Sequence, residues 1–115
     1  TLGHAIETYL LGFEREILHG EAIAIGLVLE TYISYLKINF DLKITNEIKN
    51  YINQHYEIIE FSEESIRKII DLLKYDKKNN NDEPMFVLLN NVGEMKINQP
   101  VEIELIKEAF KFYQN

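Results

Sequence analysis

The apolar run Ala22–Leu29 is the feature that most constrains how this chain can fold. It lies within residues 20–37, which we predict to be a helix with apolar side chains on every side. A helix of this kind is usually buried at the centre of a bundle. The run is far shorter than the roughly 20 apolar residues that cross a bilayer. Gly26 lowers the helix propensity of the segment, which indicates that another backbone approaches closely there.

The flanking segments have the one-sided apolar pattern of helices that pack against such a centre. We predict helices over residues 2–12 and 45–56, the second with Thr45 as its cap. Another helix begins at Ser62, and Pro100 fits the first turn of a last helix, 100–113. The side chains predicted to face the core are Leu2, Ile6, Tyr9, Leu10, Ile48, Tyr51, Ile52, His55, Ile66, Ile69, Ile70, Leu73, Ile106, Ala109, Phe110 and Tyr113.

The segment between the last two helices has a different pattern. The polar stretch "DKKNNNDEP", which ends at Pro84, is typical of an exposed loop. Phe86–Leu89 is a short strand-like run, and "NNVGE" can turn the chain into a second strand at Met95–Ile97. We therefore predict a single, mainly α domain over residues 1–115, with a short β-hairpin near residues 85–98.

Charge and cysteine content exclude several classes of function. The net charge is −7, whereas a protein that binds nucleic acid or an anionic membrane needs clustered lysine and arginine. We therefore predict neither a nucleic-acid partner nor a membrane partner. The chain has no cysteine, which excludes disulfides and thiolate metal sites and is compatible with the reducing cytoplasm.

The three histidines are the first candidates for chemistry. His19 stands at the entrance of the buried helix, where a fixed backbone suits a zinc ligand, although a lone histidine at such a position more often just caps or packs there. His4 is followed one helical turn later by Glu7, which could fix its tautomer, or the two could form an ordinary pair. His55 lies on an apolar stripe, and we assign it to packing at the core or its boundary.

Two adjacent lysines, Lys77 and Lys78, are the other candidates. They lie in the polar loop of an acidic chain, where lysines are usually just solvated. Two neighbouring cations could nevertheless hold a phosphate or a carboxylate, and Asp76 could orient one of them.

The residues at these positions resemble the 3-dehydroquinate synthase family. The segments "GHAIE" at 3–7, "LHGEAIAIG" at 18–26, "DKKN" at 76–79 and "FVLL..VG" at 86–93 follow the family pattern in the same order. In that family they belong to a helical C-terminal domain, and an N-terminal α/β domain binds NAD across the active-site cleft. The family pattern reads "GHTxGHAIE", so the resemblance implies that Thr1 follows a first histidine ligand and that the NAD-binding domain is absent from this chain.

The resemblance also implies roles for single residues. His19 would be a ligand of the catalytic zinc (or cobalt) ion, and His4 would be a catalytic residue that contacts substrate. Lys78, or alternatively Lys77, would contact the substrate as well. The cofactors would be NAD and the metal, and the missing N-terminal domain would be a partner within the same protein. We also expect a cytoplasmic homodimer.

The implied reaction converts 3-deoxy-arabino-heptulosonate 7-phosphate, a phosphorylated sugar acid, to 3-dehydroquinate and phosphate in the shikimate pathway. Because the chain has neither the dinucleotide fold nor the other metal ligands, we expect it to be inactive alone. Two alternatives stay open. One is another sugar-phosphate cyclase of the same superfamily, and the other is a non-catalytic helical interaction module whose histidines are structural.

Overall fold

The computed structural model describes residues 2–11, 19–74, 85–89 and 95–115. These residues form five helices and two strands, in the chain order α1 (Leu2–Leu11), α2 (His19–Ile38), α3 (Leu42–His55), α4 (Glu63–Lys74), β1 (Met85–Leu89), β2 (Met95–Pro100) and α5 (Ile103–Gln114). The prediction of a mainly helical chain is confirmed. None of the helices in this part of the chain combines the length and the apolar character needed to cross a membrane.

Helix α2 lies at the centre of the fold, because it packs against α1, α3, α5 and β1. Helix α1 packs in addition against α4, which itself contacts α5. The prediction that α2 is covered on every side is wrong for one line of residues. Ile23 and Leu27 are 47% and 45% exposed, because the neighbouring helices leave an open groove there. The buried apolar side chains of α2 are Ala22, Ile25, Val28, Leu29 and Ile33.

Helices α1 and α2 cross in direct backbone contact at Gly26. A Cβ atom placed on Gly26 would lie 2.7 Å from the nitrogen and 2.8 Å from the Cα of Gly3. Carbon atoms in ordinary contact are about 3.5–4.0 Å apart, so no side chain fits between these two helices. The close approach predicted at Gly26 is therefore confirmed, and Gly3 is its partner.

The start of α3 differs from the prediction because a better capping residue lies upstream. Asp41 occupies the N-cap position, and its Oδ1 accepts a hydrogen bond from the backbone N–H of Lys43 at 2.8 Å. Thr45, the predicted cap, is buried within the helix, and its hydroxyl donates to the carbonyl of Asp41 at 3.1 Å.

The predicted start of the last helix at Pro100 is also wrong. Pro100 ends β2, where a residue without a backbone N–H is tolerated, and α5 begins at Ile103 after Glu102. Strands β1 and β2 pair antiparallel, with Met85 opposite Pro100 and Leu89 opposite Met95. Residues 90–94, where the turn of the hairpin was predicted, lie outside the described residues.

The apolar stripes of α4 and α5 are confirmed, since Ile66, Ile69, Ile70, Leu73, Ile106, Ala109, Phe110 and Tyr113 are all buried. Helix α4 begins at Glu63, one residue after the predicted start at Ser62, and the Ser62 hydroxyl accepts a hydrogen bond from the N–H of Ser65 at 3.1 Å. The stripe of α3 is only half correct. Ile52 is buried and Ile48 packs partly against the core, but Tyr51 is 63% exposed.

The last turn of α5 holds the connection between α3 and α4. The hydroxyl of Tyr113 accepts a hydrogen bond from the backbone N–H of Ile59 at 3.0 Å. The side-chain oxygen of Gln114 accepts another from the N–H of Phe61 at 2.8 Å. Because Ile59 and Phe61 are also buried, this connection is fixed by both packing and hydrogen bonds.

Candidate functional site

The two histidines with the strongest sequence signals lie on α1 and α2, the two helices whose backbones are in direct contact. His4 is in the first turn of α1, next to Gly3, and His19 is the first residue of α2. Gly26, about two helical turns after His19, contacts Gly3. The fold thus brings the backbone segments that carry both histidines to one helix crossing. The side chains of His4 and His19 lie outside what the structure describes, and so do residues Lys77 and Lys78.

A groove runs between α2 and α3 beside the start of α2. Its volume is about 450 Å³, and Gly20, the neighbour of His19, is part of its lining. Its walls are apolar apart from a few polar groups, among which Glu47 carries a charge. An anionic substrate would meet a carboxylate and an apolar wall here, which is an unfavourable environment for a phosphate. The groove is therefore a poor candidate for the substrate site. Its other lining residues are Ile23, Ala24, Leu27, Ile44, Ile48, Tyr51, Ile52 and Tyr56.

His55 does not have the packing role that its position on the stripe predicted. The residue is exposed at the end of α3, because the helix extends past the core there. Its Nδ1 lies 2.8 Å from the carbonyl oxygen of Tyr51, and because a carbonyl only accepts, Nδ1 is the donor. The imidazole also stacks on the Tyr51 ring at a centroid distance of 4.2 Å. The assignment of His55 to the core or its boundary is therefore wrong.

Glu30 is a partly buried carboxylate that was not among the candidate residues predicted from the sequence. It belongs to α2, where burial raises the pKa of its carboxyl group. A hydrogen bond from the backbone N–H of Leu2, on α1, acts in the opposite direction. The available signal was a single charge at the end of the apolar run Ala22–Leu29. Glu30 thus links the two helices that carry His4 and His19.

Replacing Glu30 with glutamine should make the chain more stable at neutral pH. A carboxyl group whose pKa is higher in the folded state makes its full contribution to stability when the pH lies below its ordinary pKa of 4.5. That contribution is lost as the pH rises through the raised value. The gain in the free energy of unfolding of Glu30→Gln over wild type should therefore shrink toward about pH 4. Urea unfolding across this pH range measures it.

The exposed Glu57 provides the matched control for this prediction. Its change to glutamine should alter the free energy of unfolding by no more than about 0.5 kcal/mol at neutral pH. A gain for Glu30→Gln that stayed constant down to low pH would contradict the role assigned to burial.

A metal centre cannot be assembled from the described side chains alone. Among them there is no group of three histidine, cysteine, aspartate or glutamate residues close enough to hold an ion. Catalytic zinc ions usually take three protein ligands and keep a further position for water or substrate.

Comparison with known proteins identifies the family. A family model described as the C-terminal part of 3-dehydroquinate synthase matches residues 1–79. The 3-dehydroquinate synthase of Parabacteroides distasonis is 37% identical over 114 residues, which cover 99% of this chain and 32% of that protein. Its counterpart in Picrophilus torridus is 37% identical over 108 residues, or 93% of this chain and 30% of that protein.

The similarity extends past the part that the family model covers. The 3-dehydroquinate synthase of Oceanobacillus iheyensis is 35% identical over 111 residues, which are 96% of this chain and 29% of that protein. The chain spans about a third of the length of the curated relatives it matches. Both histidine segments, 3–7 and 18–26, lie within the region matched by the family model. The chain therefore belongs to the 3-dehydroquinate synthase family and corresponds to its C-terminal part.

Proposed function

We propose that this chain is the C-terminal part of a 3-dehydroquinate synthase. The enzyme would be a lyase that converts 3-deoxy-arabino-heptulosonate 7-phosphate to 3-dehydroquinate and releases phosphate. The observation that carries the proposal is the family match over residues 1–79, which includes both histidine segments. The similarity of nearly the whole chain to proteins of that name supports it. A preceding α/β domain would bind NAD.

His19 would supply one imidazole ligand to a zinc or cobalt ion. Neutral imidazole is a common zinc ligand, and the first residue of a helix held in the core has a well-fixed backbone. When bound, NAD would supply reversible hydride transfer and the metal would polarise substrate oxygen atoms. The protein's own contribution is then to place His19 at the cleft between the two domains.

His4 and the lysine pair would act on the substrate itself. The substrate carries a phosphate and a carboxylate, which Lys78 or Lys77 could bind through charge-assisted hydrogen bonds. His4 would contact the substrate and hold a proton at its imidazole. The half-buried Glu7, one turn after His4 on α1, is spaced to favour one tautomer of that ring.

The proposal is tested by assaying phosphate release from 3-deoxy-arabino-heptulosonate 7-phosphate in the presence of NAD. The complete protein that carries residues 1–115 should turn over this substrate, and the purified 115-residue chain should not. We expect this because the described residues contain neither a dinucleotide-binding fold nor a group of three potential metal ligands. Phosphate release by the isolated chain would contradict its predicted inactivity. Turnover only of a different heptulose phosphate by the complete protein would instead identify another sugar-phosphate cyclase.

A further inference from the structure

We propose that Gly3 and Gly26 are positioning residues whose backbone contact sets the spacing between the helices that carry His4 and His19. This inference rests on the proposed function, since it assigns both histidines to one active site. Gly3 directly precedes His4 on α1, and Gly26 lies about two turns after His19 on α2.

The contact leaves no space for a side chain on either glycine. A Cβ on Gly26 would lie 2.7 Å from the nitrogen of Gly3, and one on Gly3 would lie 3.1 Å from the carbonyl oxygen of Ala22. The opposing atoms belong to backbones, so they cannot rotate away as the end of a long side chain can. A methyl group on Gly26 would therefore have to move one helix by about 0.7 Å to reach ordinary contact.

The surroundings prevent a local adjustment. Leu2 and Ile6 of α1 are fully buried on either side of Gly3, and Ala22 and Ile25 of α2 are buried next to Gly26. Helix α1 is also packed against α4 on another side. Because such an interior is close-packed, a displacement at Gly26 has to shift α1 as a whole. Position 4 would move with it relative to position 19.

A shift of this size is large enough to affect catalysis. Catalytic groups need to be held within about 0.5 Å of their productive positions. A misplacement of about 1 Å can cost about 100-fold in rate. The contact therefore links a packing detail of two apolar helices to the relative placement of the substrate-contacting residue His4 and the metal ligand His19.

The two glycines predict a graded series in the complete protein. Gly26→Ala should lower kcat/KM for 3-deoxy-arabino-heptulosonate 7-phosphate by about 10- to 100-fold. Gly3→Ala should lower it less, because its Cβ meets α2 at 3.1–3.2 Å rather than 2.7 Å. The zinc dissociation constant should rise in the same order, because the first histidine ligand implied before Thr1 would move with α1 relative to His19. Competition with a chelator measures it and does not depend on turnover.

Tyr113→Phe is the control for a loss of stability alone. It removes the hydroxyl that accepts a hydrogen bond from the Ile59 N–H, at a position far along the chain from Gly3 and Gly26. We expect it to lower the unfolding temperature while kcat/KM and zinc affinity change less than about twofold. If Gly26→Ala does not fold, the milder Gly3→Ala carries the test.

The outcomes separate this inference from the proposed function. An active wild-type protein in which Gly26→Ala and Gly3→Ala lose no more activity and zinc affinity than Tyr113→Phe would overturn the positioning role and leave the proposed function intact. A wild-type protein without synthase activity would overturn both. A graded loss beyond that of Tyr113→Phe is the result we expect.

Discussion

Replacing His19 with alanine should remove zinc and 3-dehydroquinate synthase activity together from the complete protein. The change deletes an imidazole at the first residue of α2 and leaves the buried face of that helix in place. Under the proposed function, loss of the metal would withdraw several kcal/mol of charge stabilisation, which corresponds to a fall in kcat of about 1,000-fold or more. Metal analysis of the purified protein and a phosphate-release assay measure the two effects.

His55→Ala is the matched control, because His55 is exposed and, among the described residues, its ring stacks on that of Tyr51. This variant should keep both zinc and activity. If His19→Ala kept both as well, His19 would not be a ligand. A wild-type protein without stoichiometric zinc would favour a non-catalytic helical module instead.

Replacing Phe110 with alanine should have the largest effect on folding stability among the changes considered. Phe110 is fully buried in α5, and its ring meets that of Phe61 edge to face at a centroid distance of 5.1 Å. Truncating a buried phenylalanine costs about 3–5 kcal/mol through lost transfer energy and the cavity left behind. Since a domain of this kind is stable by only about 5–15 kcal/mol, the loss takes a large share of the total. Urea unfolding of the 115-residue chain measures it.

Phe112 lies two positions further along the same helix and is the matched control. It is half-buried and stacks on Tyr32 at a centroid distance of 4.1 Å. Its replacement by alanine should cost about 1–2 kcal/mol, because part of its surface already meets water. Equal losses in the free energy of unfolding would contradict the assignment of the larger Phe110 effect to its deeper burial.

The parts of the fold that the sequence predicts well are those where one signal dominates. The stripes of α4 and α5 repeat at helical spacing and are separated mostly by polar residues, so one face of each helix is clearly the apolar one. The helix starts were less predictable, because Asp41 and Thr45 are both good caps and only the chain's path selects Asp41. Pro100 is compatible with a first helical turn and with a strand end, and pairing with Met85 selects the strand.

The site shows the same division between local and long-range information. The residue types and order around His4 and His19 indicate the family, because they are local sequence features within the matched region. Gly26 could be identified as a point of close approach from its cost in helix propensity. Its partner Gly3 could not, since the pairing depends on how two helices cross in space. The exposure of His55 was missed because a stripe does not show where the core ends.

The hydrogen bonds that Tyr113 and Gln114 accept from Ile59 and Phe61 also bear on the synthesis of the protein. The partners are separated by 54 and 53 positions in the chain. Until α5 has emerged from the ribosome, the N–H groups of Ile59 and Phe61 lack these acceptors. The link between α3 and α4 can therefore settle into its final conformation only after α5 has been synthesised.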